Sequence, residues 1–114
     1  SPLKSPVDGF QEYFTIKLKI LDPEDTFSNY FKSYLEKLNK TMINIKISNI
    51  EDRSNINKYI QYSFSPQPGL IIMKDEYIFL KNNNIFHIEF TSDNNDYKTF
   101  KLLINKIISY FHIV

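Results

Sequence analysis

In Ile85-Phe86-His87-Ile88-Glu89-Phe90-Thr91, the side chains Phe86, Ile88 and Phe90 alternate with Ile85, His87 and Glu89. Polar residues with capping chemistry follow from Ser92 to Asp96, and then Tyr97, Phe100, Leu103, Ile104, Ile107, Ile108 and Phe111 recur at spacings of three and four. A period of two predicts a half-buried β-strand, whereas a period near 3.6 predicts an amphipathic helix. The chain therefore closes on a strand, a capped turn and a helix, and each of the last two apolar patterns needs a partner to cover it.

Working outward, the same two periods recur. Asn82-Asn83-Asn84 turns the chain into this strand, and Leu70 to Leu80 before it is rich in β-formers, interrupted by Lys74-Asp75-Glu76, which reads as a bend in one strand or the loop of a tight pair. Pro66-Gln67-Pro68-Gly69 is a turn signal. Lys58 to Phe64 suits either strand or helix by spacing, and its aromatic and β-branched content favours strand. Glu51 to Asn57 is polar and reads as a loop or a short turn; Met42 to Ile50 alternates Ile43, Ile45 and Ile47 with Asn44, Lys46 and Ser48 and reads as a strand. Asp22-Pro23-Glu24-Asp25 offers an N-cap, a proline suited to a first helical position and acids that favour the positive end of a helix dipole. Phe27, Tyr30, Phe31, Tyr34, Leu35 and Leu38 then form an apolar helical stripe. Tyr13 to Ile20 is a further alternating strand, with Phe14, Ile16, Leu18 and Ile20 on one face.

The order β-α-β-β-β-β-α, with strands joined by short turns, implies an antiparallel sheet. The expected fold is α+β, a two-layer domain with a sheet of four or more strands and two helices packed on one face. Phe31, Leu35, Ile45, Phe100, Ile104 and Ile107 lie at the centres of their patterns and are the expected core. Residues 1–9, with Pro2, Pro6 and Gly9, read as a flexible lead-in, and residues 10–114 as one domain.

Composition limits the function. The chain has 114 residues, 18 of them Phe or Tyr, and a formal charge of +1, so nothing in its global charge attracts nucleic acid. It has no cysteine for a disulfide, thiol nucleophile or thiolate metal site. No apolar run reaches the roughly 20 residues of a membrane-spanning helix, and Ser1-Pro2-Leu3-Lys4 does not resemble a secretion signal, which together predict a soluble chain in the cytoplasm or nucleus. Its two glycines, Gly9 and Gly69, cannot form a phosphate-cradling loop. His87 and His112 lie far apart in sequence; Glu89 is the one candidate partner of His87, and the pair reads as a polar strand face with no metal or catalytic role. Asp75-Glu76 reads as loop, and Asn39-Lys40-Thr41 matches a glycosylation acceptor without a secretion signal to make use of it. No enzyme activity, metal or cofactor is expected. Lys98, Lys101 and Lys106 should share the polar side of the last helix, and Lys17 and Lys19 the exposed face of the first strand.

The run from Asn84 to Asp93, followed by Tyr97-Lys98-Thr99-Phe100-Lys101 and Leu102 to Phe111, resembles the ending of a kinase-associated domain 1, in which an alternating strand, a short turn, an aromatic followed by lysine and a terminal helix occur in that order. The resemblance implies a non-catalytic C-terminal regulatory module of a Ser/Thr protein kinase, which contacts the kinase domain of the same chain, an acidic phospholipid surface, or both. It carries Lys98 and Lys101 over as anion contacts, and Lys106 joins them on the same helix as a partner-binding surface. His87 and Glu89 stand where that family usually has Arg or Lys, which favours protein contact over lipid. The alternatives are a scaffold module like the RWD domains of kinetochore proteins, which mediates protein contact or dimerisation, and a carrier of apolar ligands.

Overall fold

The computed structural model describes residues 13–110. Its elements are β1 (Tyr13–Ile20), α1 (Phe27–Thr41), β2 (Lys46–Ser54), β3 (Asn57–Gln67), β4 (Leu70–Lys81), β5 (Asn84–Asp93) and α2 (Tyr97–Tyr110). The five strands form one sheet in the order β1-β5-β4-β3-β2, and every neighbouring pair is antiparallel. β2 to β5 form a meander, while β1 pairs with β5 at the far edge, so α1 carries the chain from one edge of the sheet to the other. The α+β class and the antiparallel sheet agree with the sequence. The expected lead-in, the domain edge near Phe10, Phe111 and His112 lie outside the described residues.

Two hairpins set the register. Asn82 and Asn83 both adopt positive φ (52° and 64°), the backbone of the two-residue turn whose twist matches paired strands. They bring Lys81 opposite Asn84 and thereby fix every pair along β4 and β5. At Pro68-Gly69 the glycine takes φ 82°, which lets β3 turn back into β4.

The structure places the two helices on opposite faces, in contrast to the single face expected. Successive strand residues point to opposite sides, and directly paired residues share a side. Ile60, Tyr62, Ile78 and Ile85 pack with Phe27, Phe31 and Leu38 of α1. Their sequence neighbours Tyr59 and Tyr77, together with Ile88 and Phe90, pack with Phe100, Ile104 and Ile108 of α2. The sheet is thus the middle of three layers. The physical reason lies in β3, β4 and β5: each carries apolar residues on both of its faces, so both faces need a cover, and one helix goes to each.

Local boundaries also differ from expectation. α1 begins at Phe27 and is capped by Thr26, whose side chain accepts the Asn29 N–H at 3.1 Å. Asp22 does not cap the helix, because its carboxylate accepts the Glu24 N–H at 2.9 Å in a local turn. β2 starts at Lys46, four residues after Met42, and extends through the polar stretch to Ser54. That stretch stays extended because its charges pair: Asp52 lies opposite Lys58 and forms an ion pair with it, and Arg53 bonds Glu51 at 2.8 Å. Lys58 to Phe64 is strand, as its composition suggests, and Leu70 to Leu80 is a single strand. Lys74-Asp75-Glu76 is the middle of β4, and Asp75 and Glu76 are wholly buried there.

Of the expected core, Phe31, Phe100 and Ile104 are buried, while Leu35, Ile45 and Ile107 are half-buried at its margin. Truncating Phe31 or Phe100 to Ala should each lower stability by about 3–5 kcal/mol, measured by urea denaturation. An unchanged midpoint after the Phe100 change would show that α2 does not anchor the second core.

Candidate functional site

A cleft of about 600 Å3 opens where α1 leaves part of β1 and β5 uncovered. One wall is a helical stripe of α1, running from Tyr30 through Tyr34 and Lys37 to Thr41. The floor comes from the sheet: Lys17 and Lys19 of β1, Lys74 of β4, and His87 and Glu89 of β5.

Beneath the floor the register creates an electrostatic problem. It sets Glu76 directly opposite Glu89, with both side chains buried on the α1 side of the sheet. Paired like charges repel, and buried ones do so with little screening. The structure gives the two carboxylates different partners. Glu76 accepts the Tyr34 hydroxyl on Oε1 and the Tyr62 hydroxyl on Oε2, and His87 Nδ1 lies 3.8 Å away. Glu89 takes Lys74 at 2.8 Å on Oε1 and Lys17 at 3.1 Å on Oε2. Burial pushes the Glu89 carboxyl up, but the hydrogen bonds and charges of Lys74 and Lys17 outweigh it and hold the group below the ordinary carboxylate range. Tyr34 and Tyr62 move far the other way, first through burial and then through the charge of Glu76, so both stay protonated as donors. Tyr30 is pushed up by burial and by both carboxylates, and its hydroxyl meets His87 Nε2 at 2.7 Å. The imidazole also sits edge-on to Tyr34, with ring centres 4.9 Å apart.

Glu76, His87 and Glu89 bring three ligand-type atoms within 4.8 Å of one another, a spacing that suits a divalent cation. Both oxygens of each carboxylate are already engaged, however, by two lysines and two tyrosine hydroxyls. A cation would have to displace them.

The opposite face has its own buried carboxylate. Asp75 accepts the Tyr97 hydroxyl at 2.6 Å and pairs with Lys101, which also donates to the Tyr59 hydroxyl at 3.0 Å. Arg53 lies over the rings of Tyr59 and Tyr77, at 5.0 and 5.4 Å. Of the three lysines expected to form one surface, Lys101 is therefore turned into the fold, while Lys98 and Lys106 are exposed.

β1 departs furthest from its expected half-burial. All eight residues are exposed, and the apolar row on the α2 side is open by 45% at Phe14, 50% at Ile16, 61% at Leu18 and 74% at Ile20. Phe14 stacks on Phe90 at 5.5 Å, and Lys17 ties the strand to Glu89. The other edge of β1 carries no strand among the described residues.

Sequence reasoning singled out His87, Glu89, Lys17 and Lys19 but missed Glu76, Lys74 and the three tyrosines that join them. One signal was available. Counting back from a two-residue turn at Asn82-Asn83 puts Ile78 opposite His87 and Glu76 opposite Glu89, which is the observed pairing. Reading Lys74-Asp75-Glu76 as a break in the strand removed it from that count. The tyrosines could not be found this way, because they reach the network from α1 and β3.

No family model matches the chain, and no curated protein does. Among solved structures, the fold is similar to that of PA94 from Pseudomonas aeruginosa, a protein of unknown function described as a candidate regulator. The match has a TM-score of 0.76 at 14% identity and covers 85% of this chain and 69% of that one. It supports the fold alone.

Two pH limits follow from the buried network. Glu89 has a lower carboxyl pKa folded than unfolded, so its contribution is present above the ordinary carboxylate range and is lost as pH falls through the folded value. Glu89→Gln should flatten the acid limb of a plot of urea midpoint against pH. Six of the eight tyrosines are shifted upward, Tyr77 to about 12 by burial and Asp75 against an opposing effect of Arg53. Stability that is intact below the ordinary tyrosine range should be lost as pH rises toward the folded values. Spectrophotometric titration should show these hydroxyls ionising in one cooperative step, together with loss of the circular dichroism signal.

Proposed function

We propose that this chain is a non-catalytic regulatory module that acts by protein contact through the open edge and apolar row of β1. The observation that carries the reading is the exposure of that strand from Phe14 to Ile20, with Phe14, Ile16, Leu18 and Ile20 on one side and no further strand on its outer edge among the described residues. An edge strand presents unpaired backbone donors and acceptors, and an extended segment of a partner adds to them as a further strand. The apolar row beside the edge then gives such a segment side chains to pack against. The fold's likeness to a protein described as a candidate regulator is consistent with a regulatory role at this coarse level.

The partner we propose is a Ser/Thr kinase domain carried by the same chain. Support comes from the sequence of β5 and α2, which resembles the ending of a kinase-associated domain 1. Binding to acidic phospholipid is a weaker component. With Lys101 held by Asp75, Lys98 and Lys106 are what α2 offers a charged bilayer, and they contribute about 2 kcal/mol at roughly 1 kcal/mol each. Catalysis has no part in the proposal, since the titratable groups of the cleft floor are engaged with one another. The same open edge favours a second reading, a scaffold module that dimerises edge to edge.

The test is an Ile16→Lys/Leu18→Lys double variant. Both side chains are at least half exposed, so the thermal midpoint should stay within a few degrees of wild type. In a pull-down, the wild type should retain the kinase domain that the reading places in the same open reading frame, and the variant should lose it. Equal retention by the variant would show that the contact lies elsewhere. Sedimentation velocity separates the second reading: a wild-type dimer abolished by the variant, without kinase binding, replaces regulation by scaffolding. Liposomes with and without phosphatidylserine should retain the protein weakly, and a Lys98→Glu/Lys106→Glu variant should remove that binding.

A further inference from the structure

We propose that the cleft beside α1 is a binding site for a small organic anion, one with a carboxylate or phosphate head and an apolar body. The site shares β1 with the surface used in the functional reading but opens on the α1 side of that strand, where Lys17 and Lys19 lie, and it does not depend on that reading.

Size and charge carry the argument. A cleft of about 600 Å3 lies in the range that holds ligands of metabolite size. Its lining contains four lysines, Lys17, Lys19, Lys37 and Lys74, against two carboxylates, Asp25 and Glu89. The whole chain is nearly balanced at +1, so this local excess of cations is not an average property of the surface. Glu76, beneath the lining and bonded by Tyr34 and Tyr62, reduces this excess without cancelling it, since four ammonium groups then face three carboxylates.

The excess extends into the buried part of the site. Lys74, with only 13% of its side chain exposed, and Lys17 both bond the single carboxylate of Glu89. One carboxylate thus serves two ammonium groups. A poorly hydrated ammonium that shares its counter-charge favours a second anion nearby. Lys19 lies 5.5 Å over the ring of Tyr30 on the cleft wall, which holds a third ammonium at the same opening. Half-buried Met42, backed by the core residue Leu38, lines the cleft as well and offers an apolar surface for the body of the ligand. The same charge balance disfavours a cation at Glu76, His87 and Glu89, where it would meet Lys17 and Lys74.

The experiment is an amide-resolved NMR titration of the full chain with phenyl phosphate and with phenylacetate, using 2-phenylethanol as the neutral control. Saturable shifts are expected at β1, at the α1 stripe and at β5 for one or both anions, and their relative affinities tell phosphate from carboxylate. The alcohol should bind at least several-fold more weakly. Lys19→Gln/Lys37→Gln leaves the Glu89 pairs intact and should weaken anion binding on the order of tenfold, as expected for loss of charge-assisted contacts, with an unchanged thermal midpoint. The proposal is overturned if neither anion gives saturable shifts at about 10 mM, a weak-fragment concentration. It also fails if the alcohol binds equally well, if the double variant binds as wild type does, or if the shifts map to Lys98 and Lys106. A parallel titration with zinc should give no saturable binding; zinc that competes with phenyl phosphate would make the cleft a metal site instead.

Discussion

Two consecutive carboxylates in the middle of β4 are wholly buried and face opposite layers of the molecule. Asp75 reaches toward α2, where Tyr97 and Lys101 hold it. Glu76 reaches toward α1, where Tyr34 holds it together with Tyr62 of the sheet. Burying a polar group without a partner costs several kcal/mol, and a charge costs more. Each carboxylate therefore selects the one helix position that satisfies it. Apolar packing alone allows a helix to slide along the sheet by a turn at modest cost. These bonds remove that freedom on both faces at once.

The same constraint organises the side chains around the cleft. Because Glu76 is satisfied by hydroxyls, Lys74 and Lys17 are left to Glu89, and their shared use of one carboxylate gives the cleft floor its positive character. Because Asp75 draws Lys101 inward, the polar side of α2 keeps only Lys98 and Lys106 at the surface. On the α1 side, Lys17, Lys19, Lys37 and Lys74 gather around the cleft. β1 borders both features: Lys17 and Lys19 face the cleft, and Phe14, Ile16, Leu18 and Ile20 face the opposite side. A single edge strand thus presents a charged site on one face and an apolar row on the other, and a partner added at this edge would lie next to the cleft.

Much of this was legible in the chain itself. Alternation located β1 and β5, the spacing of Phe27 to Leu38 located α1, and the spacing of Tyr97 to Ile108 located α2, because these periods are local properties of backbone geometry. The tandem asparagines located the β4–β5 turn, since a two-residue hairpin needs positive φ at both positions and Asn tolerates it. What sequence reading underrated was polar residues inside strands. Glu51, Asp52 and Arg53 look like loop until their partners across the strands are known, and Lys74-Asp75-Glu76 looks like a break until two helices supply hydroxyls and an ammonium.

The sequence by itself determined the order of elements, the antiparallel class and the residues that could pack, because turns, caps and periodicity act over a few neighbouring residues. Only the tertiary structure decided which face each helix covers, that Asp75 and Glu76 are buried anchors, that Lys101 points inward and that the apolar row of β1 is exposed among the described residues. Those outcomes depend on contacts between residues 14 or more apart in the chain, such as Tyr62 and Tyr34 with Glu76 and Tyr97 with Asp75. Whether a buried charge is tolerated is a property of the groups that surround it, and no local pattern encodes their arrival.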